Sequence, residues 1–149
     1  MRERARLRDL ERLNAAQGAL CRHAEVRLAE ALIDERRRRD THNTANSAFE
    51  ESLEDCRRAM SGAKLDLDLL VLFARATPLI AQQLSQTASA LSAAENAAEL
   101  ERLRHAHASV ASRNAQTSER TSRRRLARKL EERSIGVYED IFALKSTTS

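Results

Sequence analysis

The sequence of 149 residues has very few residues that end helices: Pro78 is its single proline, and its glycines are Gly18, Gly62 and Gly136. A β-sheet or α/β fold needs a turn signal every ten residues or so, and this scarcity excludes both classes. Tryptophan is absent, aromatic residues make up 3% of the chain, and much of the apolar fraction is alanine. Alanine favours helix but fills a globular core poorly. The sequence therefore predicts an all-α protein without a large compact core.

Long apolar runs are also missing. A membrane span needs roughly 18 consecutive apolar residues, and the most apolar stretch, 65–80, is interrupted by Asp66, Asp68 and Arg75. The first residues of the chain lead into no apolar signal core. We therefore expect a cytoplasmic protein without a transmembrane segment.

Cysteine is scarce as well, with Cys21 and Cys56 as its two occurrences. On a continuous helix they would lie about 50 Å apart at roughly 1.5 Å per residue, far beyond the reach of a disulfide bond. We expect both to lie as small apolar residues between helices. A cross-link between two chains is the alternative.

The formal net charge of +4 is unevenly distributed along the chain. Residues 1–39 carry a net charge of +4, residues 40–101 carry −6, and residues 102–149 carry +6. Both ends are therefore basic and the centre is acidic, a distribution that favours binding to charged partners.

A seven-residue period runs through the first half of the sequence and predicts a seam, the line of residues along which two helices pack. Its first series is Leu7, Asn14, Cys21, Leu28, Glu35, His42, Phe49, Cys56, Ala63 and Leu70. Its second series is Leu10, Gln17, Ala24, Ala31, Arg38, Ala45, Ser52, Ala59, Asp66 and Phe73. The second half begins with Leu84, Thr87, Leu91, Ala94 and Ala98. It then drifts to Leu100, Leu103 and Val110, and regains register at Leu126, Leu130, Val137, Ile141 and Leu144, a shift typical of a stutter.

The strongest turn signal is Thr77-Pro78, because proline disfavours helix in the residue before it and suits the first turn of the next helix. Thr77 would then be the N-cap of the second helix. We predict one elongated antiparallel coiled-coil hairpin over residues 1–149, with helices at about 3–76 and 78–144 and a frayed tail at 145–149. This reversal places Leu28 opposite Leu126 and Leu70 opposite Leu84.

No pattern in the sequence indicates an active site. Ser61-Gly62-Ala63-Lys64 lacks the upstream glycine and downstream hydroxyl of a phosphate-binding loop. His105 and His107 point in very different directions on a helix, and neither they nor His23 and His42 complete a metal-ligand set. We expect no enzyme activity, no cofactor and no metal.

Two arginine runs could neutralise the phosphates of a nucleic acid. These are Arg36, Arg37, Arg38 and Arg39, and Arg123, Arg124 and Arg125, which the predicted hairpin brings near one another. Interspersed acids and the lack of aromatic stacking residues favour a solvated face that binds acidic protein surfaces. Nucleic-acid binding is kept as an alternative function.

Two apolar regions are candidate protein-binding surfaces. The first lies at the predicted hairpin tip and comprises Leu69, Leu70, Leu72, Phe73, Leu79 and Ile80. It either closes the turn by local packing or docks another protein. The second is the stripe Ile135, Val137, Tyr138, Ile141, Phe142 and Leu144. We expect it to pack against Leu7, Leu10 and Leu13, and to leave Tyr138 and Phe142 free for a partner at the open end.

A basic-ended antiparallel helical hairpin of this length, with an arginine- and leucine-rich first arm, resembles the FliJ/YscO/HrpO family. These proteins are central stalks of flagellar and virulence type III export machines. The resemblance implies contacts with the export ATPase, the export gate and secretion chaperones, and a location in the cytoplasm or at the inner face of a bacterial membrane. The ATPase-facing candidates are Arg2, Arg4, Arg6, Arg8 and Arg12, with Tyr138 and Phe142. A generic coiled-coil adaptor or chaperone, which also allows a homo-oligomer, is the other alternative.

Overall fold

The protein, described here by a computed structural model, consists of the helices α1 (Arg2–Ser61) and α2 (Leu67–Thr147). The structure describes residues 2–61 and 67–147, and the side chains of 3–61 and 67–138. Within these ranges there is no strand and no residue with positive φ. The predicted all-α class is confirmed.

The helices pair in two compact units. Unit 1 comprises Met1–Ala24 and His105–Ser149, and unit 2 comprises Glu25–Arg104. In unit 1, Glu3 contacts Lys129 and Glu11 contacts Arg123. In unit 2, Arg27 contacts Glu101 and His42 contacts Thr87. In each unit, the residue number of the α2 partner decreases as the residue number in α1 increases. The helices are therefore antiparallel, and the predicted hairpin is confirmed.

The chain does not reverse at the proline. The first helix ends at Ser61, well before the predicted residue 76, and α2 runs through both Thr77 and Pro78 to Thr147. Thr77 is not an N-cap, because its hydroxyl donates a 2.8 Å hydrogen bond back to the carbonyl of Phe73. Proline inside a helix lacks the donor for the preceding turn and costs about 3 kcal/mol. The half-buried Phe73 and Ile80 flank it on the seam, and packing of such residues outweighs local propensity.

The sequence signal for the earlier break is Gly62, which directly follows the last residue of α1. Glycine is strongly enriched immediately after helices. Residues 62–66 connect the helices in sequence and lie outside the described residues, as do Ala63 and Asp66 of the predicted seam.

The seam of α1 follows the predicted seven-residue period. Its less exposed residues are Leu7, Leu10, Asn14, Gln17, Cys21, Ala24, Leu28, Ala31, Glu35, His42, Ala45, Phe49, Ser52, Cys56 and Ala59. Arg38 departs from the prediction, because its side chain is exposed. Both cysteines are free and half-buried, as expected of small residues between helices.

The seam of α2 keeps one register where the sequence predicted a shift. Its less exposed residues continue without a break through Ala94, Ala98, Glu101, His105, Ala108, Ser112, Ala115, Glu119, Ser122 and Leu126. Leu100, Leu103 and Val110 are exposed on another face of the helix, so the predicted stutter is wrong. Several seam positions here are occupied by polar residues. A pattern that counts apolar residues alone therefore does not follow the seam.

The apolar core is small. The buried apolar residues are Ala45, Ala94, Ala98 and Ala115, and no large side chain among the described residues is fully buried. Burial stabilises by about 25 cal/mol per Å² of apolar surface, and alanine offers little of it. Ion pairs and hydrogen bonds across the seam therefore do much to set how the helices align.

Candidate protein-binding surfaces

Two buried glutamates lie in the seam of unit 2. Glu101 accepts hydrogen bonds from Arg27 at 2.7 Å and from Arg104 at 2.5 Å. Glu35 accepts one from Arg39 at 2.8 Å and lies 3.5 Å from Arg102. The side chains of both glutamates are about a tenth exposed. Each carboxylate is therefore held between arginines of its own helix and of the opposite helix, as a buried charge requires.

One carboxylate oxygen of each of these glutamates has no hydrogen-bond donor among the described residues. The Oε2 atoms of Glu35 and Glu101 are buried and accept no hydrogen bond from the described residues. The 3.5 Å separation between Glu35 and Arg102 is an ion pair without hydrogen-bond geometry. A buried acceptor without a donor costs free energy, so this part of the seam is aligned by charge pairs without a large gain in stability.

Unit 1 contains a third buried glutamate. Glu119 accepts hydrogen bonds from Asn14 at 2.5 Å and pairs with Arg123 at 2.8 Å. Arg123 also pairs with Glu11 at 2.9 Å. This network joins the two helices on one flank of the seam. Within the described ranges no group of three His, Cys, Asp or Glu residues is placed to hold a metal ion.

The basic arm at the start of α1 is exposed. Arg4, Arg6, Arg8 and Arg12 are all solvent-accessible, and Arg12 lies 4.0 Å from Asp9. The side chain of Arg2 lies outside the described residues. Arg4, Arg8 and Arg12 share one side of the helix because they are four residues apart, whereas Arg6 lies on another side beside α2.

Two acidic residues of this arm, Glu3 and Glu11, contact α2 directly. Lys129 donates a hydrogen bond to Glu3. This bond lowers the pKa of the Glu3 carboxyl, and the charges of Lys129 and Arg133 lower it further.

The described part of the C-terminal apolar stripe, Ile135, Val137 and Tyr138, does not pack against α1 as predicted. Ile135, Val137 and Tyr138 are all more than half exposed. The reason lies in the earlier reversal, which pairs Glu3 with Lys129 and so places the start of α1 opposite a part of α2 that precedes the stripe. Leu7 and Leu10 instead lie on the α1 seam, opposite residues of α2 that come before Lys129. Leu13 is 47% exposed. The side chains of Ile141, Phe142 and Leu144 lie outside the described residues.

The six residues predicted to form a hairpin tip divide between two faces of α2. Leu70, Phe73 and Ile80 are half-buried at seam positions, whereas Leu69, Leu72 and Leu79 are exposed. Leu67 and Val71 extend the exposed face. The two alternatives kept for this region therefore apply to different residues: one face packs locally, and the other is open to solvent.

The two arginine runs belong to different units. Arg36 to Arg39 belong to unit 2 and Arg123 to Arg125 to unit 1. A reversal at Pro78 would have placed Arg39 opposite Gln116, but it contacts Glu95 at 3.1 Å. That hydrogen bond, with the charge of Glu35, raises the pKa of Arg39. The joint basic patch of the two runs stays a prediction.

The arginine runs are also partly neutralised. Arg38 pairs with Asp34, Arg39 with Glu35 and Glu95, and Arg123 with Glu11 and Glu119. Among described residues, Arg36, Arg37, Arg124 and Arg125 have no ion-pair partner.

One groove was missed by the sequence analysis. It lies in unit 1, has a volume of about 590 Å³, and runs along residues 117–132 of α2 beside residues 3–10 of α1. Its lining comprises Glu3, Arg6, Leu10, Thr117, Ser118, Thr121, Ser122, Arg125, Leu126, Arg128, Lys129 and Glu132. The signal in the sequence is the run of serine and threonine at 117–122, whose short side chains leave space beside a helix.

The start of α2 also bears on the expectation of no membrane span. The described part of this helix, Leu67–Tyr138, contains an 18-residue window with mean hydropathy 1.2, and none of that window is buried. By length and composition alone the helix is apolar enough to cross a membrane. A helix that packs one apolar face on a second helix passes the same test, so one such window is weak evidence of a span.

Comparison with known proteins identifies no relative. No protein-family model, no curated protein and no solved structure matches this chain.

Proposed function

We propose that this chain is a non-enzymatic helical scaffold that binds other proteins, and that it acts as the central stalk of a type III export machine. The observation that carries the scaffold role is the uncovered apolar surface. The large exposed side chains include Leu72, Leu79, Ile135, Val137 and Tyr138, while the buried apolar core is made of alanines. Exposed apolar surface rimmed by charges is typical of protein interaction sites.

Two surfaces are available for partners under this proposal. One is the exposed face of α2 formed by Leu67, Val71, Leu72 and Leu79, close to the acidic centre of the sequence. The other is the part of α2 after Lys129, where Tyr138 is 65% exposed. The export ATPase would contact the second surface together with the basic arm, and the export gate or secretion chaperones would bind the first. Such a scaffold works in the cytoplasm or at the inner face of the membrane.

The basic arm makes the export role testable. The purified chain should stimulate or oligomerise a type III export ATPase from the same organism. The triple variant Arg4→Glu, Arg6→Glu, Arg8→Glu should abolish that effect, because like charges juxtaposed at an interface cost several kcal/mol. The matched control is Arg22→Glu, Arg36→Glu, Arg37→Glu, which changes the net charge equally at exposed positions elsewhere. Two outcomes would contradict the stalk role: no stimulation or oligomerisation of the ATPase by the wild-type chain, or an equal loss of this effect with both variants.

Nucleic-acid binding is the weaker candidate. The arginines that would contact phosphates are divided between the units, and three of them are paired with carboxylates. Binding by this route should weaken steeply with salt and depend on Arg36, Arg37, Arg124 and Arg125. Retardation of a DNA or RNA duplex at low salt, lost in a variant of these four residues, would favour this candidate over the scaffold.

A further inference from the structure

The groove in unit 1 is lined in part by short side chains. Thr117, Ser118, Thr121 and Ser122 occupy two successive turns of α2 along the groove. Short hydroxyl side chains leave space beside a helix, and the groove has a volume of about 590 Å³. A groove of this size falls in the range of about 300–1,000 Å³ that binding pockets occupy.

The two flanks of the seam in unit 1 differ in charge. Glu11 follows Leu10 on one side of the α1 seam, and it meets Arg123 of α2 at 2.9 Å. Arg6 precedes Leu7 on the other side, and there the groove is lined by Arg6 and Arg125 together. That ion pair joins the helices on the first flank. The groove contains the Glu3–Lys129 pair and Glu132, but Arg6 and Arg125 face its open space without a described anionic partner.

The cations of the groove are largely free. Lys129 pairs with Glu3, but the side chains of Arg6, Arg125 and Arg128 form no hydrogen bond or ion pair with any residue that the structure describes. Glu132 is the one acid of the lining that no described cation pairs with. The lining therefore keeps an excess of positive charge, and unit 1 as a whole carries 15 Lys and Arg against 8 Asp and Glu.

The groove also has an apolar component. Leu10 and Leu126 line it from the two helices. The lining segment 117–132 is about 22 Å long at roughly 1.5 Å per residue, which matches four turns of a helix laid alongside. A nucleic-acid backbone would gain nothing from the leucines. A helix with both carboxylates and apolar side chains satisfies both kinds of lining residue.

We infer that this groove is the docking site for an acidic, amphipathic helix of a partner protein, which places carboxylates between Arg6, Arg125 and Arg128 and apolar side chains on Leu10 and Leu126. The inference rests on the protein-binding role proposed above and names the chemistry of one partner. It does not depend on the identity of the export machine.

The probe for this inference is a fluorescein-labelled helical peptide of about 18 residues. It carries leucine at the seam positions of its heptads and glutamate on either side, and a second peptide replaces every glutamate by lysine. Fluorescence anisotropy of the full chain, at an ionic strength of about 50 mM where charge interactions are weakly screened, gives both affinities. The acidic peptide should bind and the lysine peptide should bind at least about tenfold more weakly.

Three variants locate the binding site. Arg125→Glu/Arg128→Glu should weaken the acidic peptide by about tenfold or more, because it turns attraction into repulsion. Arg36→Glu/Arg37→Glu makes the same change of net charge at exposed residues of unit 2 and should alter affinity less than about twofold, because these residues do not line the groove. Thr121→Trp fills the groove without any change of charge and should also weaken binding by about tenfold. Circular dichroism at 222 nm verifies that each variant stays helical.

Several outcomes would overturn the inference. These are absence of binding, equal losses in the two charge-reversed variants, unchanged affinity in Thr121→Trp, or equal binding of the two peptides. Tighter binding of a DNA duplex that depends on Arg125 and Arg128 would make the groove a nucleic-acid site instead. Failure of the peptide to bind, while an export ATPase still responds to the chain, would refute the groove alone. Binding of the peptide without an ATPase response would refute the stalk role alone.

Discussion

The guanidinium of Arg27 lies 2.7 Å from a carboxylate oxygen of Glu101, and this contact fixes the alignment of α1 on α2 in unit 2. A reversal at Pro78 would have placed Arg27 opposite Arg128, where two positive charges repel. The observed pair combines opposite charge with a hydrogen bond to a side chain that is 10% exposed. Hydrogen bonds of this kind are about twice as strong as neutral ones, so the alignment with Glu101 is favoured.

Breaking this pair and replacing its buried member should have opposite effects. Arg27→Ala should lower the free energy of unfolding by about 1–2 kcal/mol, because the buried Glu101 then keeps only Arg104 as a donor. Glu101→Leu should be neutral or stabilising, since leucine fills the seam and the half-exposed arginines return to water. Urea denaturation followed by circular dichroism measures both. Arg22→Ala, at an exposed arginine without a described partner, is the control and should stay within about 0.5 kcal/mol. Equal destabilisation by Arg27→Ala and Glu101→Leu would contradict this account.

Engineered disulfides distinguish the two positions of the chain reversal. His42 Nδ1 and Thr87 Oγ1 are 3.2 Å apart. In a background of Cys21→Ala and Cys56→Ala, the pair His42→Cys/Thr87→Cys should therefore oxidise readily within one molecule. The pair Leu70→Cys/Leu84→Cys is the control.

A reversal at Pro78 would put positions 70 and 84 face to face, but both lie on α2, about 21 Å apart at roughly 1.5 Å per residue. Non-reducing electrophoresis and mass spectrometry report the cross-link. A disulfide in the control pair within a monomer, with none in the first pair, would indicate that the chain reverses at Pro78.

Replacing Pro78 tests its place inside α2. Pro78→Ala restores a helical donor and should raise the free energy of unfolding by about 1–3 kcal/mol, the range expected for proline in a helix interior. Ser85→Ala, at another exposed position of the same helix, should gain no more than about 0.5 kcal/mol. Loss of stability in Pro78→Ala would indicate a proline that suits a turn or a first helical turn.

The Glu3–Lys129 contact gives a pH-dependent signal. The hydrogen bond from Lys129 lowers the pKa of Glu3, so folding is favoured by this pair at pH above the pKa of the unfolded chain. That contribution is lost as the pH falls through the lowered pKa of the folded state. Carboxyl carbon NMR should show the pKa of Glu3 rising towards its ordinary value in Lys129→Ala. The control Arg22→Ala should leave it unchanged; a Glu3 pKa that does not respond to Lys129→Ala would place the two side chains apart in solution.

Two residues of the predicted tip should differ in their effect on stability. Phe73→Ala should cost about 1–2 kcal/mol, less than the ~3–5 kcal/mol of a fully buried phenylalanine, because Phe73 is half-buried on the seam. Leu79→Ala should change stability by no more than about 0.5 kcal/mol, since its side chain is 66% exposed. Thermal unfolding monitored at 222 nm compares the two. A larger loss for Leu79→Ala would mean that α1 covers the opposite face of α2.

The sequence predicted the faces of α1 well and the end of α1 poorly. Its seven-residue period identifies Cys21, Leu28 and Phe49 as seam residues. The period follows from helix geometry, so it holds even where some seam positions are polar. The end at Ser61 was missed because Gly62 is a weaker local signal than Pro78. Proline is nevertheless retained inside α2, since packing on its seam side outweighs the local cost.

The candidate surfaces were only partly predictable for the same reason. Exposure of the basic arm follows from composition, and Arg4 and Arg8 are exposed as expected. The exposure of Ile135 and Tyr138 and the groove beside Thr121 depend on which part of α2 lies opposite α1. That alignment cannot be read from either segment alone.

The amino-acid sequence by itself determined that this protein is made of helices and which stripe of α1 is covered, because scarce helix breakers and a heptad period act on neighbouring residues. The tertiary structure decided where the chain turns back, which polar residues of α2 enter the seam, and which apolar residues remain uncovered. These depend on pairs such as Glu119 with Asn14 and Glu101 with Arg27, which are distant in sequence. The energy of such a pair exists only once the two helices lie side by side.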